Sequence, residues 1–457
     1  MMRRFALALI FALAIPAAAH AVTVKTVPAP SGVDVWLSEE HSLPMVAISA
    51  SLPAGSAYDP EGKEGLSALT AALLDEGAGD MKATAFKQAL ESRAIHLDIS
   101  ADRDFLVVSV KTLSANVSEA FRLLALALAH PRFDAEAVER MRFAILAGLK
   151  EDEEDPGTIA VKAWFKTYFG VHPYAHDDNG SAEGLKAITI DDIKAFASTH
   201  LVRGTAKVSV AGDITPEALA KQIDATFGPL PPDAPPPTPH PGKVGAPGQH
   251  VIAMDVPQPS AVFGVPGPLR VDADFIPTYV ANYIYGGGGF SSRLMDEVRD
   301  KRGLTYGIST SVADYRAAGI IVGEVASDKT TIASALDVAK SVMARFAKDG
   351  ATEKELMDAK TYLTGSFPIN FDSNVKIAAT LNGFQRAGLD ADYVARRNAL
   401  IDAVTLAQVN ASAKKYFDPA RLTIVVAGTP VKAPPGAVRT VPAKPASQPE
   451  IDKPPTP

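Results

Sequence analysis

Two stretches of this sequence hold residues whose types and spacing could do chemistry. VHPYAHDDNG, from Val171, sets His172 and His176 four residues apart. On a helix that spacing would put both imidazoles on one face, as a zinc site needs. Pro173 interrupts the pair, and no glutamate stands where a metal-hydroxide mechanism needs its base. The segment therefore reads as a surface loop with no more than adventitious metal affinity. YGGGGFSSRLMDEVRDKRGLTYGIS, residues 285–309, runs four glycines into a short charged helix, then Gly303 and a Thr-Tyr pair. Four such residues cost backbone entropy, which a compact domain must offset by some gain. A dinucleotide-binding glycine turn would follow a strand. Here FIPTYVANYIY precedes it, with Ile276, Tyr279, Val280 and Tyr283 on one helical face. Neither a G-x-S-x-G elbow nor a phosphate-binding GxxxxGK[ST] loop occurs.

Composition narrows the setting. MMRRFALALIFALAIPAAAHA has two arginines, an apolar run from Phe5 to Ile15 and a small-x-small site at Ala19-His20-Ala21. This is the pattern of a secretory signal peptide, residues 1–21, with cleavage after Ala21 and a periplasmic destination. The apolar run is shorter than the roughly 20 residues that span a bilayer, so no membrane span is expected after cleavage. Loss of Arg3 and Arg4 takes the formal charge from −7 to −9. With no basic block, nucleic acid is not expected as a partner. There are no cysteines, hence no disulfide, thiolate ligand or thiol nucleophile.

The elements that must position the candidate residues fall into two halves. GPLPPDAPPPTPHPGKVGAPG, from Gly228, reads as a semi-rigid linker over residues 229–247. The Pro-rich stretch 432–457 reads as a disordered tail. Between them, ITIDDIKAFASTHLVRGTAKVSVAGD (188–213) aligns with VTLAQVNASAKKYFDPARLTIVVAGT (404–429) at an offset of 216. Each is a helix capped by Thr189 or Thr405, a connector, and an alternating strand ending in Ala-Gly. DAEAVERMRFAILAG (134–148) echoes TEKELMDAKTYLTGS (352–366) in the same way. The matching order points to duplication. Strand patterns at Val46, Ile48, Ala50, at Ile95, Leu97, Ile99 and at Leu106, Val108, Val110 alternate with a helix marked by Leu66, Leu69, Leu73 and Leu74. Hairpins mixed with helices indicate an α+β fold: two homologous domains, 22–228 and 248–431, each a mainly antiparallel sheet packed with helices.

The mature chain resembles, over both halves, the pitrilysin/insulinase family of inverted-motif zinc peptidases, which includes the mitochondrial processing peptidase and respiratory-complex core proteins. The resemblance rests on SLPAGSAYDPEGKEGLSALTAALLDEGAGD (51–80), on HPY at 172 and on the glycine-rich stretch. Active members read G-L-A-H-x-x-E-H after the first turn, with a further glutamate 70 to 80 residues on. Here Ala68, Ala71 and Ala72 occupy the positions of His, Glu and His, and Ala147 that of the later ligand. The resemblance implies no metal and no cofactor in this chain, and no independent peptidase activity. It also implies a chamber closed by four such domains, with a second, homologous chain carrying the zinc.

In that family the second half supplies an Arg and a Tyr, seven residues apart, facing the metal. VRDKRGLTY places Arg299 and Tyr306 at that spacing. Ser291 or Ser292 would cap the helix, Leu294, Met295 and Val298 would hold it down, and Gly303 would stop it. A guanidinium and a phenol could then donate to a peptide carbonyl and its oxyanion. The resemblance also makes Gly286, Gly287, Gly288 and Gly289 candidates for approaching an extended peptide; otherwise they are a flexible connector. The expected function is thus a zinc-less subunit of a periplasmic heterodimeric metalloendopeptidase acting on peptides or unfolded proteins. The alternative is a non-enzymatic scaffold or peptide-binding protein of the same descent.

Overall fold

A computed structural model describes residues 23–232 and 247–431. The expected signal peptide and tail, and linker residues 233–246, lie outside the described residues. The N-terminal half contributes β1 (Lys25–Val27), β2 (Asp34–Glu39), β3 (Met45–Leu52), a short hairpin of β4 (Gly77–Ala78) and β5 (Met81–Lys82), then β6 (His96–Ala101), β7 (Leu106–Leu113) and β8 (Lys207–Gly212). The C-terminal half contributes β9 (Gly248–Ile252), β10 (Ser260–Gly267), β11 (Gly307–Asp314), β12 (Gly319–Ala326) and β13 (Thr423–Ala427).

The first sheet runs β1-β2-β8-β3-β7-β6, and the second, read from its far end, β9-β13-β10-β12-β11. From β2 onward the two orders coincide. Each sheet also has one parallel pair, β2 with β8 and β9 with β13, among antiparallel neighbours. The duplication seen as a sequence offset is therefore a duplication of topology, and the α+β expectation holds.

Local chemistry explains the elements. Leu106, Val108 and Val110 alternate inward along β7, while Leu97 and Ile99 of edge strand β6 pack on the same core. Capping boxes close on Thr189 with Asp192, Thr352 with Glu355 and Thr405 with Gln408, each satisfying two otherwise free N–H groups. Each sheet buries one face against its own helices in a separate core.

The other face of each sheet is covered by the opposite half. Helix Pro156–Phe169 lies on β10 and β13 of the C-terminal sheet. Helix Asn374–Arg386 lies on β3 and β8 of the N-terminal sheet. A shift of 216 carries 156–169 onto 372–385, so the exchanged helices are equivalent elements of the repeat. Each half thus completes the other, and the pair behaves as one scaffold.

Candidate functional site

The glycine-rich stretch is positioned by helix Phe275–Asn282, which continues into a π-helical turn, Tyr283–Gly287. It is not a floppy connector. Gly286 is buried against β11, where an added Cβ would fall 2.4 Å from Thr310 Oγ1 and 2.8 Å from Leu294 Cδ1. Asn282 clamps the same strand, donating from Nδ2 to the Thr310 carbonyl (3.1 Å) and accepting from Thr310 Oγ1 (2.7 Å). Gly289 adopts φ 55°, a left-handed conformation that a side chain would strain, and nothing stands within 4 Å of its missing Cβ. Packing accounts for the first glycine and chain reversal for the last. Gly287 and Gly289 are exposed.

Beyond the run, Ser292 caps the next turn as expected: its Oγ accepts from Met295 N–H at 3.3 Å and donates to the Gly289 carbonyl at 2.7 Å. Leu294, Met295 and Val298 are buried and anchor that turn, which is itself π-helical over Met295–Asp300. It ends at Gly303, φ 59°, with Gly303 N–H bonded to the Arg299 carbonyl and Leu304 N–H to the Val298 carbonyl. The Gly303 bond is the 5→1 bond of an αL stop, and the Leu304 bond reaches one residue further back into the π-helical turn.

Arg299 is half-buried at this stop, its guanidinium 4.5 Å from the ring centre of Phe290. Its cationic neighbours are engaged: Lys301 pairs with Asp296 and Glu297, and Arg302 with Glu297. The Arg299 side chain makes no ion pair or hydrogen bond among the described residues. Tyr306 is 79% exposed. The backbone beside it is tied, because Thr305 Oγ1 donates to the Ala326 carbonyl at 2.6 Å and accepts from Gly307 N–H at 3.1 Å. A phenol in solvent on a fixed backbone is a donor without a partner among the described residues. Phe290, 69% exposed beneath Arg299, is the part of this surface that sequence reasoning missed. The signal was there, an aromatic residue directly after four glycines.

The alanines at the expected ligand positions lie on helix Leu66–Leu73 and on helix Ala135–Asp152, which pack together. Ala68 and Ala72 are partly exposed, Ala71 is buried and Ala147 is exposed. Methyl groups cannot hold zinc, so these residues do not fit a catalytic metal. Among the described residues no group of three or more His, Asp or Glu side chains could hold one elsewhere. Glu76, the acid just beyond the first helix, is buried and engaged by Lys87 and Arg140.

One histidine of the pair departs from the surface-loop expectation, while His176 is partly exposed. His172 is 5% exposed and packs against Phe169 and Tyr174, with its Nδ1 accepting from Tyr174 N–H at 3.1 Å. It is a capping residue inside an aromatic cluster. Its covering rings are sequence neighbours, Phe169 at the end of the preceding helix and Tyr174 two residues on, and Tyr315 of the other half packs on Tyr174 in turn.

Comparison with known proteins places the fold. The model for insulinase (peptidase family M16) matches residues 35–176, and that for the peptidase M16 inactive domain matches residues 187–363. The chain belongs to the M16 insulinase family. A non-peptidase homologue, YmxG, of Helicobacter pylori is 26% identical over 93% of this chain and 98% of its own. An uncharacterised zinc protease, YmxG, of Bacillus subtilis is 21% identical over 86% of this chain and 96% of its own. Among solved structures, a peptidase M16 inactive domain from Pseudomonas fluorescens superposes with a TM-score of 0.86 and 29% identity, covering 91% of this chain and all of that one. A protease from Helicobacter pylori follows at 0.82 and 19%, covering 89% and 99%. At that identity the likeness concerns the fold alone.

Proposed function

We propose that this member of the M16 family is the zinc-less subunit of a periplasmic, two-chain zinc metalloendopeptidase. Its two peptidase-like domains, 22–228 and 248–431, would pair with a homologous chain that carries the metal. Arg299 and Tyr306 would donate to the scissile carbonyl of a peptide or unfolded protein, with Gly286 to Gly289 beside the bound backbone. The observation that carries the reading is the state of that pair. A half-buried guanidinium with no ion pair among the described residues and an exposed phenol sit on backbone tied down on both sides. Positioned donors aimed at a developing oxyanion are what such a transition state requires. The non-peptidase name of the Helicobacter relative and the inactive-domain match support assigning the metal to another chain.

The test is reconstitution with a zinc-bearing homologue. This chain alone should hold no stoichiometric zinc and cleave no peptide, and the pair should elute together, with an interface above about 1,000 Å². Tyr306→Phe removes one hydroxyl and should lower kcat by roughly 10²–10³. Arg299→Ala should raise KM as well as lower kcat. Unchanged activity in both variants, with pairing intact, would replace this reading with the scaffold.

A further inference from the structure

A cavity of about 390 Å³ opens beneath the crossing helix Asn374–Arg386, walled also by helices Phe275–Asn282 and Tyr393–Asp402. Its size suits a small organic molecule. The walls are mainly aromatic and aliphatic, and two guanidinium groups, Arg270 and Arg397, are set into them. None of Arg299, Tyr306 and the glycine run lines it.

Arg397 is 8% exposed. Its Nη1 donates to the Leu363 carbonyl at 3.1 Å and to Asn398 Oδ1 at 3.0 Å, and its guanidinium stands 4.1 Å from the Phe367 ring centre. Among the described residues it has no carboxylate within ion-pair distance. Arginines this deep are rarely left without one. Burial holds its pKa below the usual range, and the charge of Arg270 acts in the same direction. Arg270 donates from Nη2 to Tyr393 Oη at 2.7 Å and lies 4.2 Å from the Phe275 ring centre, also without an ion pair among the described residues. Asp314 is the one acid in the lining. Burial pushes its carboxyl upward, and it feels Arg270 and Arg386 without pairing with either. Two guanidinium groups thus face one space with little to neutralise them.

A second observation comes from the helix above. Gly383 lies within Asn374–Arg386, lines the cavity, and an added Cβ would meet nothing within 4 Å. Mid-helix glycine is destabilising, and here no close packing demands it. Its consequence is an open mouth.

We propose that this cavity binds a small organic carboxylate, its acid group held by Arg270 and Arg397 and its apolar body against the aromatic walls. Guanidinium forks match a planar carboxylate. The rings would favour an apolar body over a fully hydrated phosphate, and no lysine lines the space.

Calorimetric titration of the purified chain with hydrocinnamate, and separately with inorganic phosphate, tests this. Hydrocinnamate should bind saturably at one site per chain. Arg270→Gln should weaken it at least about tenfold, as loss of a charge-assisted bond predicts. Gly383→Leu should abolish it by obstructing the mouth while improving helix propensity and leaving both arginines in place. These two variants avoid Arg397, whose bond to Leu363 ties two helices together. Absence of saturable hydrocinnamate binding, binding of phosphate alone, or unchanged affinity in Gly383→Leu would each overturn the proposal.

Discussion

The two exchanged helices occupy equivalent places in the repeat, yet they are fastened by different chemistry. Pro156–Phe169 brings an aromatic wedge to the C-terminal sheet. Trp164 is fully buried, stacks on Tyr168 at 4.4 Å and meets Phe165 edge-on at 5.2 Å. Gly264 of β10 makes room for the indole, since a Cβ there would fall 2.5 Å from Trp164 Cζ2. Asn374–Arg386 offers Ile377, Ala378 and Leu381 to Trp36, Ala47 and Ala211. Around them it makes directional bonds: Ser209 Oγ donates to Gln385 Oε1 at 2.7 Å, Gln385 Nε2 to the Asp34 carbonyl at 3.1 Å and Asn382 Nδ2 to the Lys207 carbonyl at 3.0 Å. Burial of rings supplies free energy in proportion to area, whereas hydrogen bonds add little net energy but fix register. One joint holds the halves together; the other sets how they are aligned.

Breaking the aromatic joint should have the largest effect. Trp164→Ala removes the centre of the wedge and its Nε1 bond to the Thr423 carbonyl, 3.0 Å. The expected loss is about 3–5 kcal/mol, the range for truncating a buried large aromatic residue. Urea unfolding would check it, and a loss below about 2 kcal/mol would mean that the wedge is not the principal fastening. Gln385→Leu sharpens the contrast from the other side. It keeps volume but leaves buried Ser209 Oγ and the Asp34 carbonyl without that partner, costing about 1–3 kcal/mol. A loss equal to that of Trp164→Ala would erase the distinction between the joints.

The difference between the joints also marks where sequence becomes legible. The repeat, its capping boxes at Thr189 and Thr405, and the helix leading into the glycine run depend on residues a few positions apart, so pattern alone reveals them. The stop at Gly303 and the cap at Ser292 are local in the same sense. The exchange of helices is not. Trp164 finds its acceptor 259 residues away, and Gln385 reaches Ser209 across 176, so no window of sequence contains both partners. The same limit applies to Tyr174 beside His172, which packs on Tyr315 of the other half, and to the glycine run, whose tight packing depends on Thr310 of β11. Arg299 and Tyr306 were readable as a spaced pair; that Arg299 forms no ion pair among the described residues, despite Asp300 next to it in sequence, emerged only in three dimensions.

The smallest expected effect concerns one repeat position that differs in titration. His200 ends the helix Ile190–His200, and the offset of 216 places Tyr416 at its counterpart. Tyr416 donates to Asp274 at 2.7 Å. His200, buried like Tyr416, has no such acid and is stacked on Phe196 at 4.3 Å, with Nδ1 3.3 Å from the Pro53 carbonyl. Burial holds its pKa below the ordinary 6.5 and outweighs that hydrogen bond. The sign follows directly. Below pH 6.5 the unfolded chain takes up a proton that the folded chain still refuses, so stability present above 6.5 declines as pH falls until the folded pKa is reached. One proton limits the slope to about 1.4 kcal/mol per pH unit within that window, and at neutral pH the effect vanishes. His200→Phe keeps the stacking and removes the titration. It should be less stable than the parent at neutral pH, from loss of the Pro53 bond, and the gap should narrow as pH falls below 6.5. Urea midpoints at several pH values would show it. Parallel curves for parent and variant across that window would mean that the N-terminal half tolerates a charged His200, and the two halves would then not differ in their response to mild acid.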